Sequence, residues 1–451
     1  MTRDPARPET LGVPWRDYWA WTTQPSHFVT VPHVRRHRSH LAVTPEWSRA
    51  ASIYFQSGLV RRASIRGFWP LFFVRLVTDI NLSPLQLVAL GTVMEITILL
   101  MEVPTGVVAD VYSRKWSVVM SYLIMGTAIV LSALISPYWL LVVAQILMGF
   151  GNTFETGAET AWITSEIGSP GATEPLILRR ARWQLIAGVV GIVFWAGLAA
   201  LTTLSTALVL IGVVYAGWGL WLAVRMPETN FTRRAGEGYG GSIAMFRSGF
   251  GQARTIPALR ILVMVMFIGG LAKEAIDRLD VQRLVDVGLP TDIDEVMVIG
   301  AITAAKMLLA AGLLAVTRNR ISGSGVVMSL AVMMAGTALG VVLLAHMELL
   351  ALTALGLMLQ GGFLTATEPL VTTWANNFAS DNARATVHSF MGQSEAFGEI
   401  LGGVALGVVA QIFTVPTAMT FSAILFFAAA VIAATARQSW STPTRPGGCV
   451  S

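Results

Sequence analysis

From Leu82-Ser83-Pro84 onward, apolar residues come in long blocks, broken at regular intervals by proline, glycine or clustered arginine. Blocks of this length predict membrane-spanning helices, because a bilayer core of about 30 Å takes roughly 20 residues at about 1.5 Å each. Eleven are predicted, near residues 85–108, 116–135, 138–160, 183–204, 206–226, 259–280, 294–316, 326–345, 349–371, 386–412 and 416–436. A further stretch, Gly67 to Ile80, is apolar but about 21 Å long by the same rise, and it carries Arg75 and Asp79. Extending it backward adds Arg66, Arg62 and Arg61.

The positions of the charges decide the count. Connections holding Arg114 and Lys115, then Arg179, Arg180 and Arg182, then Arg225, Arg233, Arg234, Arg247 and Arg254, then Arg318 and Arg320 alternate with connections nearly free of Lys and Arg. Positive residues stay on the cytoplasmic side, so the first set is expected inside, and the acidic stretch Asp286, Asp292, Asp294, Glu295 outside. Arg35, Arg36 and Arg38 near the start and Arg437 near the end then both lie inside, which requires an even number of crossings. Residues from about 55 to 80 are therefore expected to cross despite their arginines, giving twelve.

Composition agrees: 54% of the 451 residues are hydrophobic and 13% charged, where a soluble domain carries about 25% charged. The mean hydropathy is +0.64. The net charge of +5 sits between apolar blocks, not in a compact basic domain, so nucleic acid is not an expected partner. The single cysteine, Cys449, excludes an internal disulfide and a Cys-based zinc or redox motif. His33, His37 and His40 lack acids or cysteines in register, so no metal is expected, nor any other cofactor. No Gly-x-x-x-x-Gly-Lys loop occurs, so ATP is not expected to drive the protein directly, and no constellation of catalytic side chains marks an enzyme.

The expected fold is an all-α membrane protein of twelve helices in two pseudo-symmetric six-helix bundles, the first helix atypical. Five segments follow: a poorly ordered cytoplasmic extension (1–65), an N-terminal lobe (66–226), a Gly- and Arg-rich cytoplasmic linker (227–258), a C-terminal lobe (259–436) and a cytoplasmic tail (437–451). An internal repeat supports the division. GFGNTFETGAETAW (Gly149 to Trp162) and GGFLTATEPLVTTW (Gly361 to Trp374) are of equal length and end alike, and at the same offset the Arg114 loop falls on the Arg318 loop.

At the second junction, Glu102-Val-Pro104-Thr105-Gly106-Val-Val-Ala-Asp110-Val-Tyr-Ser-Arg114-Lys115 resembles the signature loop of the major facilitator superfamily. Its physics is readable too: Gly106 would let two helices approach closely, and Asp110 and Arg114 could pair across the lobe interface near a helix end. Glu155-Thr-Gly-Ala-Glu159-Thr-Ala-Trp162 and Arg384-Ala-Thr-Val-His-Ser389 resemble bacterial members of uncertain substrate. The resemblance covers about residues 67–436. It implies two lobes rocking about a central site, a monomer as the working unit, and drug-efflux-like relatives. Gln145 stands where many drug exporters carry an arginine, and Gly188-Val-Val-Gly191 lacks the antiporter Gly-Pro.

Ionised groups inside a span cost about 2.5–3.5 kcal/mol each on insertion scales, so each needs a partner, a wet cavity or a task. Glu95, Lys306 and Glu399 fall near mid-bilayer and lead the candidates for the central cavity or ion coupling, with Glu395 and Asp277 beside them. A static ion pair that fixes packing is the competing role. Glu102, Glu159, Glu368 and Arg384 gather with the signature loop at the cytoplasmic ends and are expected to form a gate. The expected function is proton- or other ion-coupled movement of a small organic solute across the inner or plasma membrane, with export favoured. The alternatives are a nutrient uptake symporter, or a non-transporting receptor or assembly factor whose main support is the short first helix.

Overall fold

The structure, a computed structural model, describes residues 45–155, 157–168, 170–232, 251, 255–289, 294–317, 325–378 and 384–440. Among them are thirteen helices: α1 Pro45–Thr78, α2 Pro84–Val111, α3 Arg114–Leu134, α4 Tyr138–Thr153, α5 Ala158–Ile167, α6 Pro170–Leu201, α7 Leu204–Arg225, α8 Pro257–Asp286, α9 Asp294–Thr317, α10 Gly325–His346, α11 Leu350–Phe378, α12 Arg384–Ile412 and α13 Val415–Trp440. Helices α4 and α5 are one crossing, broken at Gly157, whose φ of 79° suits glycine. Twelve crossings result. Nine of the described helices are long and apolar enough to cross a membrane. The charges inside α1 and α8, and the break after α4, keep the other crossings out of that set.

The first crossing differs from its expected bounds. The boundary expected at residue 65 falls inside α1, which begins at Pro45 and runs 34 residues, about 51 Å at about 1.5 Å per residue. Its arginines are tolerated because three of them find partners far along the chain, Arg49 by donating to the Arg225 carbonyl at 2.9 Å. Arg75 donates to the carbonyls of Ser132 and Ile135 at the end of α3, each at 3.2 Å. Arg61 pairs with Glu155 and donates to Asn152. The segment 183–204 likewise starts earlier, at Pro170, so Arg179, Arg180 and Arg182 lie on a helix instead of in a connection. Residues 1–44, Arg233, Arg234, Arg247, Arg254, Arg318, Arg320, Asp292 and the tail from 441 lie outside the described residues.

The helix pairings repeat after six crossings. In the first lobe α1 packs on α6, α3 on α7, and α2 on α4; in the second, α8 packs on α12, α10 on α13, and α9 on α11. The tryptophans ending the two repeat segments, Trp162 and Trp374, are both fully enclosed. Between lobes, α2 meets α12 and α6 meets α9, again equivalent pairs. These meetings fall at the end away from the linker. Gly403 and Gly407 face Thr92, Val88 and Leu85, and Gly300 faces Ala196 and Ile192.

Small residues set the close crossing of α8 on α12. A Cβ on Gly270, Gly398 or Gly402 would run into the backbone of Glu395, Phe267 or Leu271 respectively. Backbone cannot swing aside as a side chain does, so Gly402→Val is expected to destabilise the second lobe by about 1–3 kcal/mol. Thermal unfolding of the purified protein reads this. Gly312→Val, where a Cβ meets nothing within 4 Å, serves as control, and equal melting temperatures would refute the crossing.

Candidate functional site

The close α8–α12 crossing places α8's charges against α12's. Lys273 Nζ lies 2.6 Å from Glu399 and 3.5 Å from Glu395. One turn on, Arg278 Nε donates to Glu274 Oε1 at 2.8 Å. The Arg278 guanidinium also lies 5.3 Å over the Trp69 ring and 5.5 Å over Phe73, both on α1 in the other lobe. Glu95 reaches in from α2, and one carboxylate oxygen from each of Glu95, Glu274 and Glu399 lies within 4.8 Å of the other two. Glu274 is 2% exposed and Glu399 6%. Two cations thus face four carboxylates, Glu95, Glu274, Glu395 and Glu399, where the lobes meet.

Two cavities open beside this cluster. One, of about 560 Å³, is bounded by Arg66, Lys273, Asp277, Lys306, Glu368 and Glu395. The other, of about 360 Å³, is bounded by Arg61, Arg62, Trp69, Glu155, Arg180 and Gln184. Lys306 pairs with Asp280 at 3.4 Å across α8 and α9. Arg180 pairs with Glu159 at 2.6 Å and lies 3.9 Å over the Tyr54 ring.

The leading trio of the sequence is therefore divided. Glu95 and Glu399 come together, while Lys306 pairs with Asp280 instead of joining them. Glu395 shares Lys273, and Asp277 faces the larger cavity. Glu274 and Arg278, neighbours of Asp277 on the same helix, complete the cluster. The signal was present in their i, i+4 spacing, which lets them pair with each other.

At the linker end, Arg114 lies 3.2 Å from Asp110, donates to the Ala161 carbonyl at 3.2 Å, and bonds Ser165. The Asp110–Arg114 pair stays within the first lobe, correcting the expectation that it bridges the lobes. Its role is to tie α2 and α3 to α5. Gly106 is a second correction: a Cβ there would meet nothing within 4 Å, so close helix approach does not explain it. Lys115 lies 5.8 Å over Trp116, and its backbone N–H donates to Glu228 after α7. Glu159 is held by Arg180, Glu368 faces the larger cavity, and Glu102 is half-buried without a side-chain partner among the described residues. Arg384 begins α12, and its side chain lies outside the described residues.

No family model matches the chain. Among curated proteins it is similar to YxaM of Bacillus subtilis strain 168, an uncharacterised MFS-type transporter, at 23% identity over 379 residues, covering 80% of this chain and 90% of the relative. Among solved structures, the nucleoside transporter NupG superposes with a TM-score of 0.66 at 14% identity, covering 88% of this chain and all of its own. A bacterial homologue of the human lysosomal transporter Spinster, inward-facing and occupied, gives 0.69 at 12% identity, covering 89% of this chain and all of its own. The solved structures show that the chain has the fold of the major facilitator superfamily, and along most of its length it is similar to an MFS-type transporter.

Proposed function

We propose that this protein moves a small organic solute by alternating access, drives it with protons carried by the Glu95–Glu274–Glu399 cluster, and works in the direction of export. One observation carries the coupling: the cluster straddles the lobe interface, with Glu95 from the first lobe and Glu274 and Glu399 from the second. Rocking the lobes apart at the end away from the linker must draw Glu95 from the other two carboxylates. It must also lift Arg278 off Trp69 and Phe73. Four carboxylates against two cations leave negative charge in excess in a medium that solvates it poorly, and a proton is the smallest neutraliser. Adding or removing that proton changes the work of separating the lobes, which is what coupling requires.

The lobes touch at the far end, so the cleft faces the linker. That arrangement supports an inward-facing state with linker, both termini and the arginine-rich turns cytoplasmic, in the inner or plasma membrane. Both lobes and the whole cavity belong to one chain, which supports a monomer as the working unit. The rival reading, a non-transporting receptor, drew on a first helix too short to cross, and α1 has the length to do so.

Proteoliposomes with an imposed pH gradient and a panel of drugs, sugars and amino acids test the reading. At least one solute is expected to accumulate on the acidic side in exchange for protons, to lose that accumulation with a protonophore, and to keep it when sodium is replaced by choline. Dependence on sodium instead, or no gradient-driven movement of any member, contradicts proton coupling. The topology is tested separately by a membrane-impermeant maleimide on intact cells. Cys449, and a cysteine placed at position 240 of the linker in a Cys449→Ser background, are both expected to stay unlabelled until the cells are opened.

A further inference from the structure

Four ionisable side chains at the two cavities have no hydrogen bond or ion pair among the described residues. Arg62 and Arg66 stand one turn apart on α1, and the Arg62 Nε is buried without a partner. Asp277 on α8 and Glu368 on α11 belong to the other lobe. Arg66, Asp277 and Glu368 bound the larger cavity, and Arg62 bounds the smaller one next to it. Every other charged group lining these cavities is paired: Arg61 with Glu155, Arg180 with Glu159, Lys273 with Glu395 and Glu399, and Lys306 with Asp280.

The unpaired four are sorted by sign and by lobe. Both cations are on α1, their stems side by side against Gly188 of α6, where a Cβ would lie 3.5 Å from the Arg66 Cγ and 3.6 Å from the Arg62 Cγ. Both anions are on the second lobe, and the charge of Glu368 acts on both arginines while that of Asp277 acts on Arg66. Glu368 is exposed and the other three are half-buried, so all four charges face open cavity space where the opposite charges of a solute can replace water. A solute with only a negative charge would suit the arginines and be repelled by the carboxylates. A cation would do the reverse. A solute carrying both charges satisfies all four.

Resting on the transporter reading, we infer that the solute is a zwitterion, its anionic group held by Arg62 and Arg66 and its ammonium by Asp277 and Glu368. Two guanidinium forks suit a carboxylate or phosphate, which they bind with paired N–H donors. About 560 Å³ accommodates molecules from an amino acid to a short peptide. The same charge pair occurs on a free amino compound and on the headgroup of phosphatidylethanolamine, and the experiment separates these sources.

Thermal stability of the purified full-length protein is measured with phenylalanine, dialanine and γ-aminobutyrate, each beside its N-acetylated form, an anion only, and its C-terminal amide, a cation only. A second arm compares nanodiscs of phosphatidylethanolamine with phosphatidylglycerol. The proposal expects a zwitterion to stabilise the protein where both capped forms fail, in the first arm for a free solute or in the second for a lipid headgroup. Arg66→Gln should erase the advantage over the amide, and Glu368→Gln the advantage over the acetylated form. Arg179→Gln, on the exposed face of α6, should change neither. No zwitterion effect in either arm, or equal stabilisation by an acetylated compound, overturns the proposal. Binding is read without transport, so a protein that binds zwitterions but moves none sinks the transporter reading alone.

Discussion

Glutamine in place of Glu95 is expected to abolish proton-driven accumulation while leaving exchange of solute for solute intact. Glu95 has no ion pair of its own within the cluster, so the amide keeps the side chain's shape and breaks no bond that holds the fold. What it removes is the ability to take up and release a proton between the lobes. Coupling free energies between sites are typically about 1–3 kcal/mol, so gradient-driven accumulation should fall by about tenfold or more. Counterflow in the same vesicles, with no pH gradient, should stay near wild type. If both fall together, Glu95 serves solute binding or folding and not coupling.

Arg278→Met is expected to destabilise the protein severely. It strips the partner from Glu274, which is 2% exposed, and removes the stacking on Trp69 and Phe73. Breaking a buried ion pair from one side costs about 3–5 kcal/mol, because the remaining charge is left uncompensated. Adding Glu274→Gln removes that charge, so the double variant should recover most of the loss in melting temperature. Equal melting temperatures for single and double variants would show that the pair is not what holds α8 in place. The double variant also lacks the α1 contact, so whatever loss remains measures how far the stacking joins the lobes.

The architecture was largely legible because it follows from two coarse signals, block length and arginine placement, which both act through the membrane. Parity of the crossings even retrieved the first helix, which hydropathy alone would have missed. Its reach back to Pro45, the first described residue, was hidden because the partners that make its arginines tolerable are remote. Arg61 meets Asn152 and Glu155, and Arg75 meets Ser132 and Ile135, all on other helices. The candidate site was legible in its residue types and not in its pairings. Depth along a helix identified Glu95 and Glu399, but depth says nothing of rotation about the axis. That is why Lys306 was grouped with them although it faces Asp280. Gly106 shows the converse limit, since a motif glycine implies close packing only if a neighbour is there. Arg62 and Arg66 were read as obstacles to a crossing, where the structure makes them the unpaired cations of the cavity wall.

The central claim is that the lobes rock about a charge cluster set between them, so that opening one end closes the other. Distances between spin labels test it most directly, in a Cys449→Ser background, with one pair at Asp79 and Phe413 near the turns away from the linker and another at Tyr112 and Val316 near the linker end. All four positions are exposed. On changing pH across the working range the two distances should move in opposite senses, the far-end pair lengthening as the linker-end pair shortens, and Glu95→Gln should suppress that response. Two distances that hold still, or that lengthen and shorten together, would contradict the account.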